Sequence, residues 1–573
     1  MQKRWNILRS DDAIRDKLAR ELGLSPLIAH LMVTRGYTER DAAEEFLWPR
    51  LSQLHSPDSL PDIDKAVERI RSAVRDKEKI VVYGDYDVDG TTGSAVLLKF
   101  FEQLDYKAEF YIPHRVDEGY GLNMNAVKEL MGGGMNVMIT VDCGSRAIEE
   151  IELMQSSGID VIVTDHHELG DDLPPAFAVI NPKTSRSEYP FDGLCGSAVA
   201  FKLAWALSQA FSEQKKVAEA YRSFLMMSLS YVAMGTVADI VPLVGENRII
   251  TRFGLTALRE SPTPGILALK ERADIIDRPI KANDIGFKLG PRINAAGRMG
   301  HARDALDLLT TDDESRAQDL ADLLEDQNDD RKQLVKDIHV KAEKQIEELG
   351  LADDPIIVIG EKDWHVGVLG IVASRIVDKH YRPCIAVALN GESGKGSARS
   401  IKGFNITDAM ASCADILKSF GGHEMAAGMS IEVGKFDEFR KRMIDYGREN
   451  LTEEILLPEV KIDAEVLLTQ LHPSEVNTLK MLEPFGMGNP SPVFAATGLT
   501  VAGPPRFLGD GTHVRFYVRQ GPVSLQVIAF GIANELAPYL EDGRPCSVAF
   551  TPRVRSYQGD YYVELTAKDV KFD

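Results

Sequence analysis

The sequence predicts an α/β protein: a parallel-sheet domain joined by a long helix to a second α/β domain, followed by a small C-terminal β-barrel. Three observations predict it. The apolar runs 80–83, 137–141 and 161–164 are short, end in polar residues and are separated by helical-looking stretches, the pattern of βαβ units. Residues 313–350 read as one long charged helix. From residue 456 onward the chain breaks into strands punctuated by the turn signals GDGTH, RQGPV, EDGRP and YQGDY, as in a small barrel.

In chain order, residues 1–50 read as small helices at 12–22, 26–35 and 39–46, expected to cover the edge of the main domain. The parallel-sheet domain follows over 51–312. Its first strand runs into Gly84-Asp85-Tyr86-Asp87-Val88-Asp89-Gly90, with carboxylates at alternate positions. Like charges gathered at the end of a buried strand cost several kcal/mol unless a cation neutralises them. All-oxygen clusters suit hard divalent cations. Taken alone, the motif reads equally well as a solvated acidic turn. Two later strands decide between the readings: one ends in Asp142-Cys143-Gly144 and the other in Asp165-His166-His167-Glu168. Parallel strands present their carboxyl ends at one edge of the sheet, where ligands bind. Asp, Asp and His-His delivered to that edge make a metal site. From Val217 the domain is mainly helical, with the turn GTVADIVPL inside it.

Within 313–350, Leu320 and Leu324 begin an apolar stripe that vanishes through EDQNDDRKQ (325–333) and resumes at Leu334, Ile338 and Ile346. A helix polar all round in its middle is expected to bridge domains through solvent; a coiled-coil dimer would need sustained apolar a and d positions. The second α/β domain spans 351–455 and the barrel domain 456–573. In the barrel, His513, Arg515, Tyr517 and Arg519 alternate with Val514, Phe516 and Val518. One face is therefore basic and aromatic, as on the OB-folds that bind single strands by phosphate contacts and base stacking. Ordinary polar-side-out alternation is the competing reading.

The 573 residues are enough for several domains. No run of about 18 apolar residues and no apolar leader core is seen, so a cytoplasmic protein without a membrane segment is expected. The five scattered cysteines lack any C-x-x-C pair, which points to free thiols and away from zinc or a disulfide framework. The net charge of −21 speaks against a non-specific DNA coat. Residues 281–303, with Lys281, Lys288, Arg292, Arg298 and Arg303 against Asp284, predict instead a confined basic groove on an acidic body.

With IPHRVDEGYGLN (112–123), MGTVADIVPL (234–243), GPRINAAGRMGHARDALDLL (290–309), GSARS (396–400), FGGHEMAAG (420–428) and EPFGMGNPSPVF (483–494), these motifs resemble the DHH phosphoesterases. Within them they resemble the RecJ family of bacterial single-strand-specific DNA exonucleases, from about residue 50 to the end. The resemblance implies a DHH catalytic domain, a DHH-associated substrate-binding domain and an OB-fold-like barrel.

Asp85, Asp87, Asp89, Asp142, His166 and Asp239 are the expected ligands of two divalent cations, Mn²⁺ or Mg²⁺, with Asp142 bridging. Which of the first three aspartates binds directly stays open. Asp165 is expected to orient a ligand imidazole. His167 is expected to face the substrate phosphate or leaving oxygen, as donor or acid, or else to be an ordinary loop histidine. Arg115 and Arg298 match phosphate clamps, with a surface ion pair as the competing reading; the resemblance implies that Ser397 and Arg399 contribute to recognition of the 5′ end, and His423 is similarly placed or else a plain turn histidine. Arg515, Tyr517 and Arg519 would carry the single strand. The activity implied is metal-dependent 5′→3′ hydrolysis of single-stranded DNA in recombination and repair, by a monomer working near single-strand-binding protein and a helicase. The alternatives are a DHH phosphoesterase of short oligonucleotides or cyclic dinucleotides, and a non-catalytic single-strand-binding scaffold.

Overall fold

The β-branched runs of the first domain are buried at every position of Ile80–Gly84 and Val137–Val141, as expected where helices cover both faces of a parallel sheet. In the computed structural model, which describes residues 3–115, 117–212 and 217–572, the chain forms two compact units. One comprises Leu51–Leu456 with Gly486–Gly488; the other comprises Met1–Arg50, Leu457–Phe485 and Asn489–Asp573.

The first unit opens with a five-stranded, all-parallel sheet in the order Glu109–Tyr111, Ile80–Gly84, Val137–Val141, Asp160–Thr164, Ala178–Ile180. The chain leaves Ile80–Gly84 toward one side of the sheet and returns on the other. The carboxyl ends of Ile80–Gly84 and Val137–Val141 therefore flank the switch point, where such sheets bind ligands. The helix Val88–Glu102 is buried nearly all round, packed against Gly196–Ala210 and Glu219–Ala238.

The long helix spans Glu314–Leu349. Ala317, Ala321 and Leu324 enter the core of the first sheet, whereas Val335, Ile338, Ala342 and Ile346 enter that of the second. Its polar middle does not cross open solvent as expected. Asn328 is fully buried, and Arg292, on the helix Gly290–Met299 packed alongside, pairs with Glu325. Polarity there serves an internal packing surface. The second sheet runs Leu417–His423, Ala426–Glu432, Ser393–Arg399, Cys384–Asn390, Ile357–Glu361, and only its last pair is parallel.

In the other unit, Phe494–Leu508, His513–Gln520, Val523–Ala529, Asp560–Phe572 and Pro545–Tyr557 form a five-stranded barrel, closed by pairing of the first with the last. All four turn signals fall at or between strand ends. The N-terminal helices Asp12–Leu22, Pro26–Thr34 and Arg40–Leu47 form as expected, but their packing corrects the reading of an edge cover for the main domain. Leu18, Ile28, Leu31, Met32, Phe46 and Leu47 share one core with the barrel's Phe494, Phe516 and Phe550. A strand unforeseen in the sequence, Arg4–Ile7, pairs in parallel with Glu459–Ile462. Among the described residues no helix is long and apolar enough to cross a membrane, and all five cysteines are free and buried.

Candidate functional site

The site is assembled where strand ends meet helix starts. Asp85 follows the first strand, its N–H donating to Val141 O at 3.1 Å. Gly90 lies so close over it that a Cβ would stand 2.5 Å from Asp85 O. Asp87 caps the helix Val88–Glu102, its Oδ1 accepting from the N–H groups of Asp89 and Gly90. Asp89 sits in that helix's first turn and meets the start of a second helix: its carboxylate accepts from Gly196 N at 2.5 Å and Ser197 N at 3.0 Å. Asp142 ends the neighbouring strand in left-handed backbone, φ 62, and its carbonyl accepts from Tyr120 OH at 3.1 Å. Asp239 is the C-cap of Glu219–Ala238.

These groups converge. His166 Nε2 lies 3.1 Å from Asp142 Oδ1, 3.5 Å from Asp239 Oδ2 and 3.9 Å from Asp89 Oδ2. Asp85, Asp87 and Asp142 offer one set of ligand atoms within 4.8 Å of one another; Asp89, His166 and Asp239 offer another. Asp142 also groups with His166 and His167, so its carboxylate reaches both sides.

Electrostatics shows that the cluster fits cations. Burial, then the neighbouring aspartates, pushes the carboxyls of Asp85 and Asp142 far above the usual range and that of Asp239 up to about 9. Asp85 Oδ1, Asp142 Oδ1 and His166 Nε2 are buried without any hydrogen-bond partner. Burying acceptors without a donor is costly, and divalent cations bound by oxygen and imidazole resolve it.

His167 stands beside this cluster, its Nδ1 2.8 Å from Asp165 Oδ1 and 3.0 Å from Tyr120 OH. Burial opposes its protonation, but Asp165 outweighs burial and raises its pKa. Asp165 is buried as well, yet its hydrogen bond from His167 and the charges of both histidines hold its carboxyl well below the usual range. Its role differs from the expected one. It braces the ring of His167 and the backbone N–H groups of His166 and His167, while the ring of His166 turns to the aspartates. His423 comes from the second sheet to line a cavity of about 420 Å³ together with Tyr120, Arg146, Asp165 and His167.

A second feature adjoins the acids. Arg298 is half-buried and donates through Nη1 to Gly367 O at 2.6 Å. Burial, then repulsion from Arg115, Arg331 and Arg399, pushes its pKa down to about 9. Arg115 stacks over Tyr86 with 4.6 Å to the ring centroid, and Arg399 donates to Ser397 Oγ and Ala398 O. Among the described residues, Arg298, Arg331 and Arg399 donate to carbonyls, an amide and a hydroxyl, while Arg115 feels the charges of Asp85 and Asp87. Guanidinium forks match the geometry of a phosphate.

It also corrects the expected basic groove over 281–303. Arg292 is paired with Glu325, Lys288 caps Ala273 O and Arg303 lies over Phe110, leaving Arg298 as the residue of that run that joins the cluster. In the barrel, Arg515, Tyr517 and Arg519 lie on the outward face of His513–Gln520, opposite the buried Val514, Phe516 and Val518.

Family models match three segments: the DHH family, N-terminal domain over 79–236, the DHHA1 domain over 353–449 and the RecJ OB domain over 462–569. The single-stranded-DNA-specific exonuclease RecJ of Bacillus subtilis (strain 168) is 36% identical over 571 residues, spanning 99% of this chain and 70% of its own length. The chain belongs to the RecJ family. Two crystal structures of RecJ from Thermus thermophilus each cover 99% of this chain. The complex with Mn²⁺ has a TM-score of 0.83 at 30% identity and is covered over 79% of its length; the complex with Mg²⁺ has 0.78 at 29% and 78%.

Several residues of this RecJ-family site escaped the sequence. A Cβ on Gly196 would stand 2.6 Å from Asp142 Oδ1, and one on Gly235 2.3 Å from Asp89 Oδ1, so the acids close up only because both positions are bare. Tyr120 falls within IPHRVDEGYGLN, where its residue type alone gives no sign of a role. Arg331 lay in the polar stretch assigned to solvent.

Proposed function

We propose that this RecJ-family chain is a metal-dependent exonuclease that hydrolyses single-stranded DNA in the 5′→3′ direction, serving recombination and repair. The observation that carries the reading is the shared carboxylate of Asp142, set between two ligand groups and beside a cluster of arginines that repel one another. Asp85, Asp87 and Asp142 would hold one Mn²⁺ or Mg²⁺; Asp89, Asp142, His166 and Asp239 would hold a second. The RecJ structures named above contain these ions. When bound, paired divalent cations supply an activated water and relieve charge on the phosphoryl oxygens.

The remaining steps belong to the protein. Arg115, Arg298, Ser397 and Arg399 hold the 5′ phosphate and so fix which phosphodiester reaches the acids, which sets polarity. His167, its ring braced by Asp165, donates to the phosphate or leaving oxygen, and His423 lines the same cavity. Arg515, Tyr517 and Arg519 carry the incoming strand by phosphate contacts and stacking. In this division of labour 51–312 is catalytic, 313–350 connects, 351–455 binds the substrate's end and 456–573, with 1–50 packed against it, binds nucleic acid. The protein works as a cytoplasmic monomer, with single-strand-binding protein presenting the strand and a helicase producing it.

End-labelled single strands and duplexes, with and without a 5′ phosphate, test this under Mn²⁺. The parent releases mononucleotides from the 5′ end of single strands, and Asp142→Ala abolishes release. Indifference to strandedness or to the 5′ end would overturn the reading.

A further inference from the structure

The helix Glu219–Ala238 ends in a way that burial does not explain. Its C-cap Asp239 keeps right-handed backbone, and Ile240 follows with φ 61. A left-handed step after a helix suits glycine or asparagine, because a Cβ crowds the neighbouring carbonyl and a β-branched side chain adds to the crowding. Burial of the side chain would compensate. Ile240 instead is 62% exposed, the most exposed large aliphatic side chain among the described residues. Its conformation is held from both sides: Ile240 N donates to Val237 O, Leu243 N to Met487 O and Asn247 Nδ2 to Pro242 O. A strained residue that its surroundings over-determine points to function. Its position says which. The preceding residue, Asp239, has its carboxylate 3.5 Å from His166 Nε2, so Ile240 stands at the rim of the metal centre.

We infer that Ile240 is a wedge for the bases of the substrate strand, inserting its apolar side chain between the two bases that flank the phosphodiester being cut. The inference rests on the reading of the metal centre as a single-strand exonuclease site. Apolar wedges of this size part neighbouring bases in other nucleic-acid complexes. An aliphatic contact is indifferent to base identity, because every base has an apolar face. Parting a stacked pair costs more when both bases are also paired in a duplex, so the wedge adds to strand selectivity.

Ile240→Gly tests it, because it removes the wedge and supplies the residue the backbone prefers. The variant melts no lower than the parent and binds Mn²⁺ with the same affinity by titration calorimetry. Its KM for a 5′-phosphorylated single strand rises roughly tenfold, while kcat stays within about twofold. Ile240→Val, which keeps a branched apolar group, restores KM to within about twofold of the parent. On a strand made abasic at both positions flanking the first phosphodiester, parent and Ile240→Gly have equal KM. Parental KM for Ile240→Gly on the intact strand overturns the wedge. So does an equal loss on the abasic strand, or a fall in Mn²⁺ affinity that accounts for the loss. A parent that degrades no single strand overturns the exonuclease reading and the wedge with it, and is told apart by needing no variant.

Discussion

At Asp142 a buried carboxylate shares its surroundings with Asp85, Asp87, Asp89 and Asp239, and the consequence depends on pH. Without cations, burial and like charge raise the folded-state pKa of Asp85, Asp142 and Asp239, the last to about 9, whereas an unfolded aspartate titrates near ~3.9. The folded, metal-free chain thus holds protons that the unfolded chain releases. Its stability falls as pH rises from about 4 toward 9. Cations take the place of those protons, so the gain in Tm from Mn²⁺ over a chelator should be larger at about pH 8.5 than at about pH 6. Scanning calorimetry at both pH values checks this, and equal gains would show that the aspartates do not share one cation-binding space. The six acids and imidazoles were legible as residues because most of them follow buried strands, whose pattern is strong. The bare positions Gly196 and Gly235 were not, since their need arises only when three helices converge on the same carboxylates.

Two elements that shape the site are fixed to each other by a buried ion pair. Lys202, on Gly196–Ala210, donates to Glu246 Oε1 at 2.7 Å, and Glu246, on Gly245–Glu260, also accepts from Tyr189 OH and His55 N. Both charged side chains are closed to solvent, and burial depresses the Lys202 pKa. Removing one partner of such a pair leaves the other charge uncompensated, at a cost of about 3–5 kcal/mol. Lys202→Met should lower unfolding stability by that order in denaturant titrations. Because the same helix presents Gly196 N and Ser197 N to Asp89, it should also weaken Mn²⁺ binding. Loss of stability with unchanged metal affinity would show that the pair serves packing alone. Elements with a clear period were readable, as the all-buried strands and the alternating His513–Gln520 show. The long helix misled over 325–333 because a buried polar surface and a solvated one have the same composition; only the partner, here Gly290–Met299, tells them apart. The strand Arg4–Ile7 was invisible because the strand it pairs with lies far downstream, as the 455-residue separation of Arg4 and Glu459 shows.

For the whole molecule, the boundary that sequence reasoning drew after residue 50 is a change of composition, whereas the folding unit is set by which apolar faces meet. Leu18, Ile28, Leu31, Met32, Phe46 and Leu47 lose their core partners if only the C-terminal segment is cut away. Each such side chain is worth about 1.5–3 kcal/mol when fully buried, and together they would form an exposed apolar patch. A chain of residues 1–456 should therefore aggregate, while 51–456, which keeps both sheets and the long helix, should stay monodisperse in gel filtration and bind Mn²⁺. Equal behaviour of the two would mean that the N-terminal helices fold without the barrel. The same 51–456 chain separates the barrel's contribution from that of the metal centre. It retains every ligand candidate and the arginine cluster but lacks Arg515, Tyr517 and Arg519. Cleavage of a 5′-phosphorylated dinucleotide should survive, and affinity for long single strands should fall by roughly tenfold or more, the value of one or two stacked bases. A parallel loss on both substrates would remove the barrel from the strand's path.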